Sequence, residues 1–105
     1  MTEVTYTERD NRVRITVTGH AQFNPGNDIV CAGISAITFQ LLSYVAAMQM
    51  EGQIEDAASE VKDGWVIVTF VLLPGSKQAW DTAWKVIKMG YQNISEEYPK
   101  HLSIG

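Results

Sequence analysis

The sequence predicts an α+β domain of order ββαββα, two layers deep, with a mainly antiparallel sheet and both helices on one face. Three observations point there. Val13, Ile15 and Val17 alternate with Arg14, Thr16 and Thr18, the period of a strand with one buried face. The run from Ile29 to Met50 carries no charge and is far longer than a strand. Trp80, Trp84, Ile87, Tyr91, Ile94 and Tyr98 recur at spacings of four and three, the period of a helix face.

The first 18 residues read as a hairpin. Val4-Thr5-Tyr6-Thr7 favours β structure, Asp10-Asn11 signals a turn, and residues 12–18 form the second strand. Residues 29–50 follow as a central helix with two apolar stripes. Ile34, Ile37, Leu41, Val45 and Met48 form one, and Phe39, Leu42, Ala46 and Met50 the other. A helix apolar nearly all round is buried on more than one side, by the sheet and a neighbouring helix or in part by a partner chain. A membrane span competes with this reading by length. Ser35, Thr38, Gln40, Ser43 and Gln49 within the run, and the lack of Lys or Arg at its ends, favour a core helix. Gly52 is a natural stop.

Residues 53–61 read as a strand interrupted by Asp56, Ala57 and Ala58. Asp63-Gly64 is a tight-turn signal. Residues 65–73 are apolar on both faces, as in a strand inside a sheet, and Pro74-Gly75 ends them. Ser76 is placed to cap a second helix over 77–97, with Asp81, Lys85, Lys88, Gln92 and Glu96 on its polar side. Core packing explains its aromatic stripe better than a ligand box.

A chain of 105 residues is one domain, 1–105, and 46% hydrophobic content fits a globular core. With 8 Lys plus Arg against 12 Asp plus Glu, the formal net charge is −4. No basic run stands out, which disfavours direct nucleic-acid binding; an acidic surface suits a basic protein partner. The single cysteine makes an intrachain disulfide impossible and fits a reducing, cytoplasmic setting. The first residues lack the pattern of a signal peptide. Two histidines and one cysteine make no zinc cluster, and no metal or cofactor is expected.

Chemistry concentrates between the second strand and the central helix. Gly19-His20 ends the strand, a loop with Pro25-Gly26 follows, and Cys31 falls in the helix's first turn. Asn27 or Asp28 can cap that helix. A thiol there lies near the positive end of the helix dipole, which favours the thiolate. A nearby histidine would take its proton. Taken alone, one cysteine beside an apolar helix more often marks an inert core residue.

The two halves Gly19-His20-Ala21 and Asp28-Ile29-Val30-Cys31-Ala32-Gly33-Ile34-Ser35, in this order, closely resemble the signature of the ribosomal-processing cysteine proteases, the Prp family. The resemblance extends to Glu97-Tyr98-Pro99-Lys100. It implies a cysteine endopeptidase that removes the N-terminal extension of a large-subunit ribosomal protein during bacterial ribosome maturation, working as a homodimer away from membranes. Carried over by position, His20 is the general base and Cys31 the nucleophile, with Asp28 and Ser35 close to this dyad. The loop from His20 to Cys31 is about a residue shorter than the family's usual form, which bears on cleavage preference more than on the dyad.

Backbone N–H groups near Cys31 and Ala32 are candidate oxyanion donors. Loop 21–27 is the candidate gate, with Gly26 as its hinge and Phe23 as a contact for an apolar substrate side chain; the plainer reading is a connecting loop whose Phe23 packs inward. His101 is an alternative base outside the motif. Two rivals to proteolysis remain: a non-catalytic ribosome-assembly module that binds the same tail, and a redox-sensing thiol protein, for which no resolving cysteine exists in the chain.

Overall fold

A computed structural model describes residues 1–19 and 29–105. The elements are β1 (Thr2–Arg9), β2 (Arg12–Thr18), α1 (Ile29–Met50), β3 (Ile54–Lys62), β4 (Trp65–Leu72), α2 (Lys77–Glu97) and β5 (Leu102–Ile104). One five-stranded sheet runs in the order β3-β4-β2-β1-β5. Its pairings are antiparallel except β1 with β5, which is parallel and makes the sheet mixed.

The hairpin turns follow from local chemistry. Asp10 and Asn11 both adopt positive φ, 53° and 66°, as a two-residue turn of type I′ requires, and Arg9 pairs with Arg12 across it. The strand alternation then decides the layers. Val13, Ile15 and Val17 on β2 and Val68, Phe70 and Leu72 on β4 are buried on one face. Both helices cover that face: Val30, Ile34, Leu41, Val45 and Met48 of α1 join Trp80, Trp84, Ile87 and Tyr91 of α2 in the same cluster. The helices approach closely because Gly33 and Gly90 stand at their crossing. A Cβ on Gly33 would lie 3.2 Å from Ile94, and one on Gly90 3.1 Å from Ile37.

The aromatic stripe of α2 is core, as its periodicity predicts. Phe70 meets Trp80 edge-on at 4.9 Å, Tyr6 stacks on Trp84 at 4.8 Å, and Trp80 Nε1 donates to Tyr6 Oη at 2.9 Å. Thr38 donates to the Ile34 carbonyl and accepts from Tyr91, which satisfies the buried hydroxyls between the helices.

Four features differ from the sequence reading. A fifth strand, β5, extends the sheet beyond ββαββα; at three residues it is too short to show a period, and its place depends on bonds from Thr2 N–H to the His101 carbonyl and Gly105 N–H to the Val4 carbonyl, both 2.9 Å. In β3 the register shifts between Glu55 and Ala58, with Asp56 at φ 54°, so the interruption read at 56–58 is a bulge inside one strand. Ser76 stands at the start of α2 but makes no side-chain cap; its carbonyl accepts from Trp80 N–H instead. The two apolar stripes of α1 are not equally covered. Ile34, Leu41, Val45 and Met48 are buried, whereas Phe39 and Met50 are 62% and 90% exposed. α1 is long and apolar enough to cross a membrane, yet its buried face belongs to the same core as the sheet.

Candidate active site

The site begins where β2 ends. Gly19 has φ 95°, a conformation that L side chains rarely adopt, and a Cβ there would overlap the backbone carbonyl of Met1. Its N–H donates to the Gly64 carbonyl at 2.6 Å, and its carbonyl accepts from Thr2 Oγ1 at 3.4 Å. Gly19 therefore ties the end of β2 to the β3–β4 turn on one side and to β1 on the other.

α1 starts at Ile29, so Cys31 lies in its first turn, half-buried. The N–H groups of a helix's first turn have no acceptor within the helix and carry the positive end of its dipole. They stabilise negative charge at a sulfur or oxygen placed beside them. Ala32 follows in the same turn and is exposed.

Gly19 and Cys31 open onto one cleft of about 290 Å³. Ser35, Phe39 and Leu42 continue its wall along α1, and the β3–β4 hairpin supplies the facing wall from Val61 to Val66. Val61 is 57% exposed, so two large apolar groups, Phe39 and Val61, stand open at its rim. Lys62 Nζ lies 5.1 Å from the centroid of the Trp65 ring, a cation–π pair within that hairpin wall. A small concave site with apolar walls and a few polar groups is the usual form of a ligand cleft.

Of the residues the sequence singled out, the structure brings Gly19, Cys31 and Ser35 together on this cleft. His20, Phe23, Gly26 and Asp28, with the gate assigned to loop 21–27, lie outside the described residues. His101 does not line the cleft. Among the described residues, no group of three or more His, Cys, Asp or Glu side chains is gathered as a metal would require.

Sequence reading missed the hairpin wall and the exposed position of Phe39. Asp63-Gly64 signalled the turn, but its nearness to Gly19 follows from β4 pairing with β2, a long-range choice. Phe39 lay on a stripe read as buried.

The family model described as cysteine protease Prp matches residues 1–103. None of the curated proteins compared with the chain matches it. Among solved structures, the essential ribosomal processing protease Prp from S. aureus with a covalently linked product peptide is similar at a TM-score of 0.74 and 24% identity, covering 100% of this chain and 98% of that one. The same S. aureus protease with a substrate peptide gives 0.69 and 24%, with the same coverage. SMU.848 from Streptococcus mutans gives 0.66 and 22%, covering 99% of this chain and 95% of that one. At these identities the solved structures establish the fold.

Proposed function

The chain belongs to the cysteine protease Prp family, and from that premise we propose that it removes the N-terminal extension of a large-subunit ribosomal protein, using Cys31 as nucleophile and His20 as general base. The observation that carries this reading is the place of Cys31: the chain's single cysteine stands in the first turn of a helix and opens onto a cleft it shares with Gly19, the residue before His20.

His20 takes the Cys31 proton, and the thiolate attacks the scissile carbonyl. The oxyanion is met by backbone N–H groups at the start of α1, near Cys31 and Ala32. The tetrahedral intermediate collapses with loss of the amine, which receives the proton from His20, and leaves a thioester on Cys31. Water, deprotonated by His20, attacks the thioester and releases the acid, restoring the thiol. Asp28 is assigned the capping role read from the sequence in preference to one in the dyad, since a carboxylate near the sulfur opposes its ionisation. Phe23 and Gly26 keep the gate role read from the sequence, and Ser35 lines the wall of the cleft.

The substrate assignment draws on the family and on charge. The S. aureus proteins of this fold are described as ribosomal processing proteases. A chain with formal net charge −4 is electrostatically matched to a basic ribosomal protein. The homodimer is carried over from the family resemblance, and the lone cysteine supports a cytoplasmic setting.

The test is incubation with an N-terminally extended ribosomal protein, followed by intact-mass measurement. Wild type is expected to yield one defined shorter product. Cys31→Ala and Cys31→Ser, both folded by circular dichroism, are expected to yield almost none, because serine is scarcely ionised near neutral pH. Normal cleavage by folded Cys31→Ala would remove the protease reading. Tail binding without cleavage by wild type would favour the non-catalytic module instead.

A further inference from the structure

The cleft at Cys31 adjoins a second, smaller hollow farther along α1. The first is walled by Phe39 and Leu42 on the helix and Val61 on the hairpin; the second, about 100 Å³, by Leu42, Val45 and Ala46 on the helix and Ala57 to Ser59 on β3. Leu42 lines both. Laid end to end, the two hollows trace a groove between α1 and β3 whose head is at Cys31. From Cys31 to Ala46 the helix rises ~22 Å at ~1.5 Å per residue. At ~3.3 Å per residue, that is the reach of roughly six or seven residues of extended chain.

One bank of the groove is a sheet edge. Among the described residues β3 pairs only with β4. The two-residue turn Asp63-Gly64 closes on the pair Lys62 and Trp65, a mutually hydrogen-bonded pair in such a hairpin. Bonded and non-bonded pairs alternate from there. Ser59 and Val61, opposite Val68 and Val66, therefore turn their backbone N–H and C=O groups away from β4, towards whatever lies along the edge. The side chains of β3 also alternate. Ser59 shares the face of buried Val68, on the helix side, whereas Glu60, opposite Ile67, lies on the other face.

We infer that the substrate peptide binds as an added strand along β3, in the groove that leads away from Cys31, and that this groove selects an extended segment alternating apolar and basic residues on one side of the scissile bond. Every second side chain of such a strand enters the groove against Phe39, Leu42 and Val45. The intervening ones fall on the side of exposed Glu60; Glu55 and Asp56 add further negative charge along β3, while Lys62 of the same face is drawn over the Trp65 ring next to the turn. Main-chain pairing supplies affinity and the alternate pockets supply selectivity. The proposal rests on the protease reading, because it is the thiol at the head of the groove that makes a peptide its occupant.

The test uses synthetic peptides that alternate Leu and Lys and span the cleavage junction, lengthened one residue at a time on each side. On one side, kcat/KM is expected to rise by at least about 10-fold over several residues and then level off, as accumulating main-chain hydrogen bonds require. N-methylation of the longest peptide is expected to cost about 3- to 10-fold at alternate positions only. A peptide of the same composition with its Leu and Lys in blocks is expected to lose the gain. Ser59→Trp and Ala46→Trp, which fill the far groove from opposite banks, are expected to flatten the length series. A rate independent of length beyond the residues flanking the bond, or N-methyl effects without the two-residue period, would overturn the strand model. Binding is read separately on Cys31→Ala by amide exchange: bound peptide should protect the Ser59 and Val61 amides, and binding that leaves both unprotected would also overturn it. If wild type cleaves no peptide while this protection appears, the groove stands and the protease reading falls.

Discussion

The two helices are nearly the same length, 22 and 21 residues, and lie on one face of one sheet, yet they are built on opposite plans. α2 is amphipathic: its apolar stripe at spacings of four and three is spent on the core, where Trp80 and Tyr91 are completely buried. α1 carries no charge at all and turns only part of its apolar surface inward. Its buried residues Ile34, Leu41, Val45 and Met48 do the same work as the stripe of α2. Others, from Cys31 through Phe39 and Leu42 to Ala46, line the cleft or the smaller hollow beside it, Cys31 and Leu42 while also touching the core. α2 also leaves apolar residues uncovered, Val86 at 62% and Met89 at 52%, but neither lines the cleft or the smaller hollow, whereas the uncovered apolar residues of α1 include Phe39 at the cleft that holds Cys31.

The comparison breaks first if α2 proves to be more than scaffold. Trp84→Ala is expected to cost about 3–5 kcal/mol of folding stability, the range for truncating a buried aromatic, with Ile87→Ala at the lower end of about 2–5 kcal/mol. Denaturant unfolding measures this, and cleavage by the folded fraction should be unchanged. Lost cleavage at an unaltered melting temperature would move the stripe of α2 into the functional surface.

Next comes the entry to α1's side of the site. Gly19→Ala forces a side chain into a positive φ and against the Met1 carbonyl. Backbone strain of this kind costs about 1–3 kcal/mol. The bond to Gly64 makes a second effect expected: displacement of the chain end that leads to His20, read as a fall in kcat among molecules that remain folded. Wild-type stability in Gly19→Ala would mean that β1 and β2 yield at this point.

Smaller still is the expected stability change at the exposed positions of α1. Phe39→Ser and Met50→Gln should each shift unfolding by no more than about 0.5 kcal/mol, as exposed sites do. They should part company in activity. Phe39→Ser should raise KM, because Phe39 lines the cleft and Met50 does not. Equal KM values for the two variants would erase the distinction between groove and bare surface on this helix.

What was legible in the sequence follows the same division. α1 and α2 were readable because uncharged and periodic runs are bounded locally by Asp28, Glu51, Ser76 and Pro99. β1 and β2 were readable from alternation and turn chemistry, and β4 from an apolar run bounded by Asp63-Gly64 and Pro74-Gly75. The bulge at 55–58 showed only as a weakened strand, because a positive φ at Asp56 breaks the period it sits in. β5 was hidden: its reason for existing is the edge of β1, not its own three residues. In the site, Gly19 and Cys31 were legible from their motif. Phe39 and Val61 were not, since their exposure is decided by how much of α1 the sheet can cover and by which strand the Asp63-Gly64 hairpin lies beside. Local chemistry names the candidate residues; long-range pairing decides what surrounds them.

The smallest expected effect concerns how α2 is seated on the sheet, and it appears only in alkali. Tyr6 receives the Trp80 Nε1 hydrogen bond and donates to Glu8 Oε1 at 2.7 Å. Burial, followed by the bond to Glu8, pushes the Tyr6 phenol up from 10.0 to about 12, with the Trp80 bond acting the other way. A raised phenol means that the fold prefers the neutral form. Its contribution is therefore fully present below about pH 10 and is lost as pH rises through about 12. Tyr91, raised by burial and hydrogen-bonded to Thr38, adds to the loss in the same direction. Tyr6→Phe removes the titrating group and leaves Trp80 Nε1 without this acceptor, so the variant should be less stable than wild type near neutral pH. The gap between them should narrow from about pH 10 to 12, because only wild type has the Tyr6 contribution to lose. Melting temperatures of the two proteins across that range measure the effect. A gap that stays constant or widens would mean that ionisation of Tyr6 is not coupled to folding.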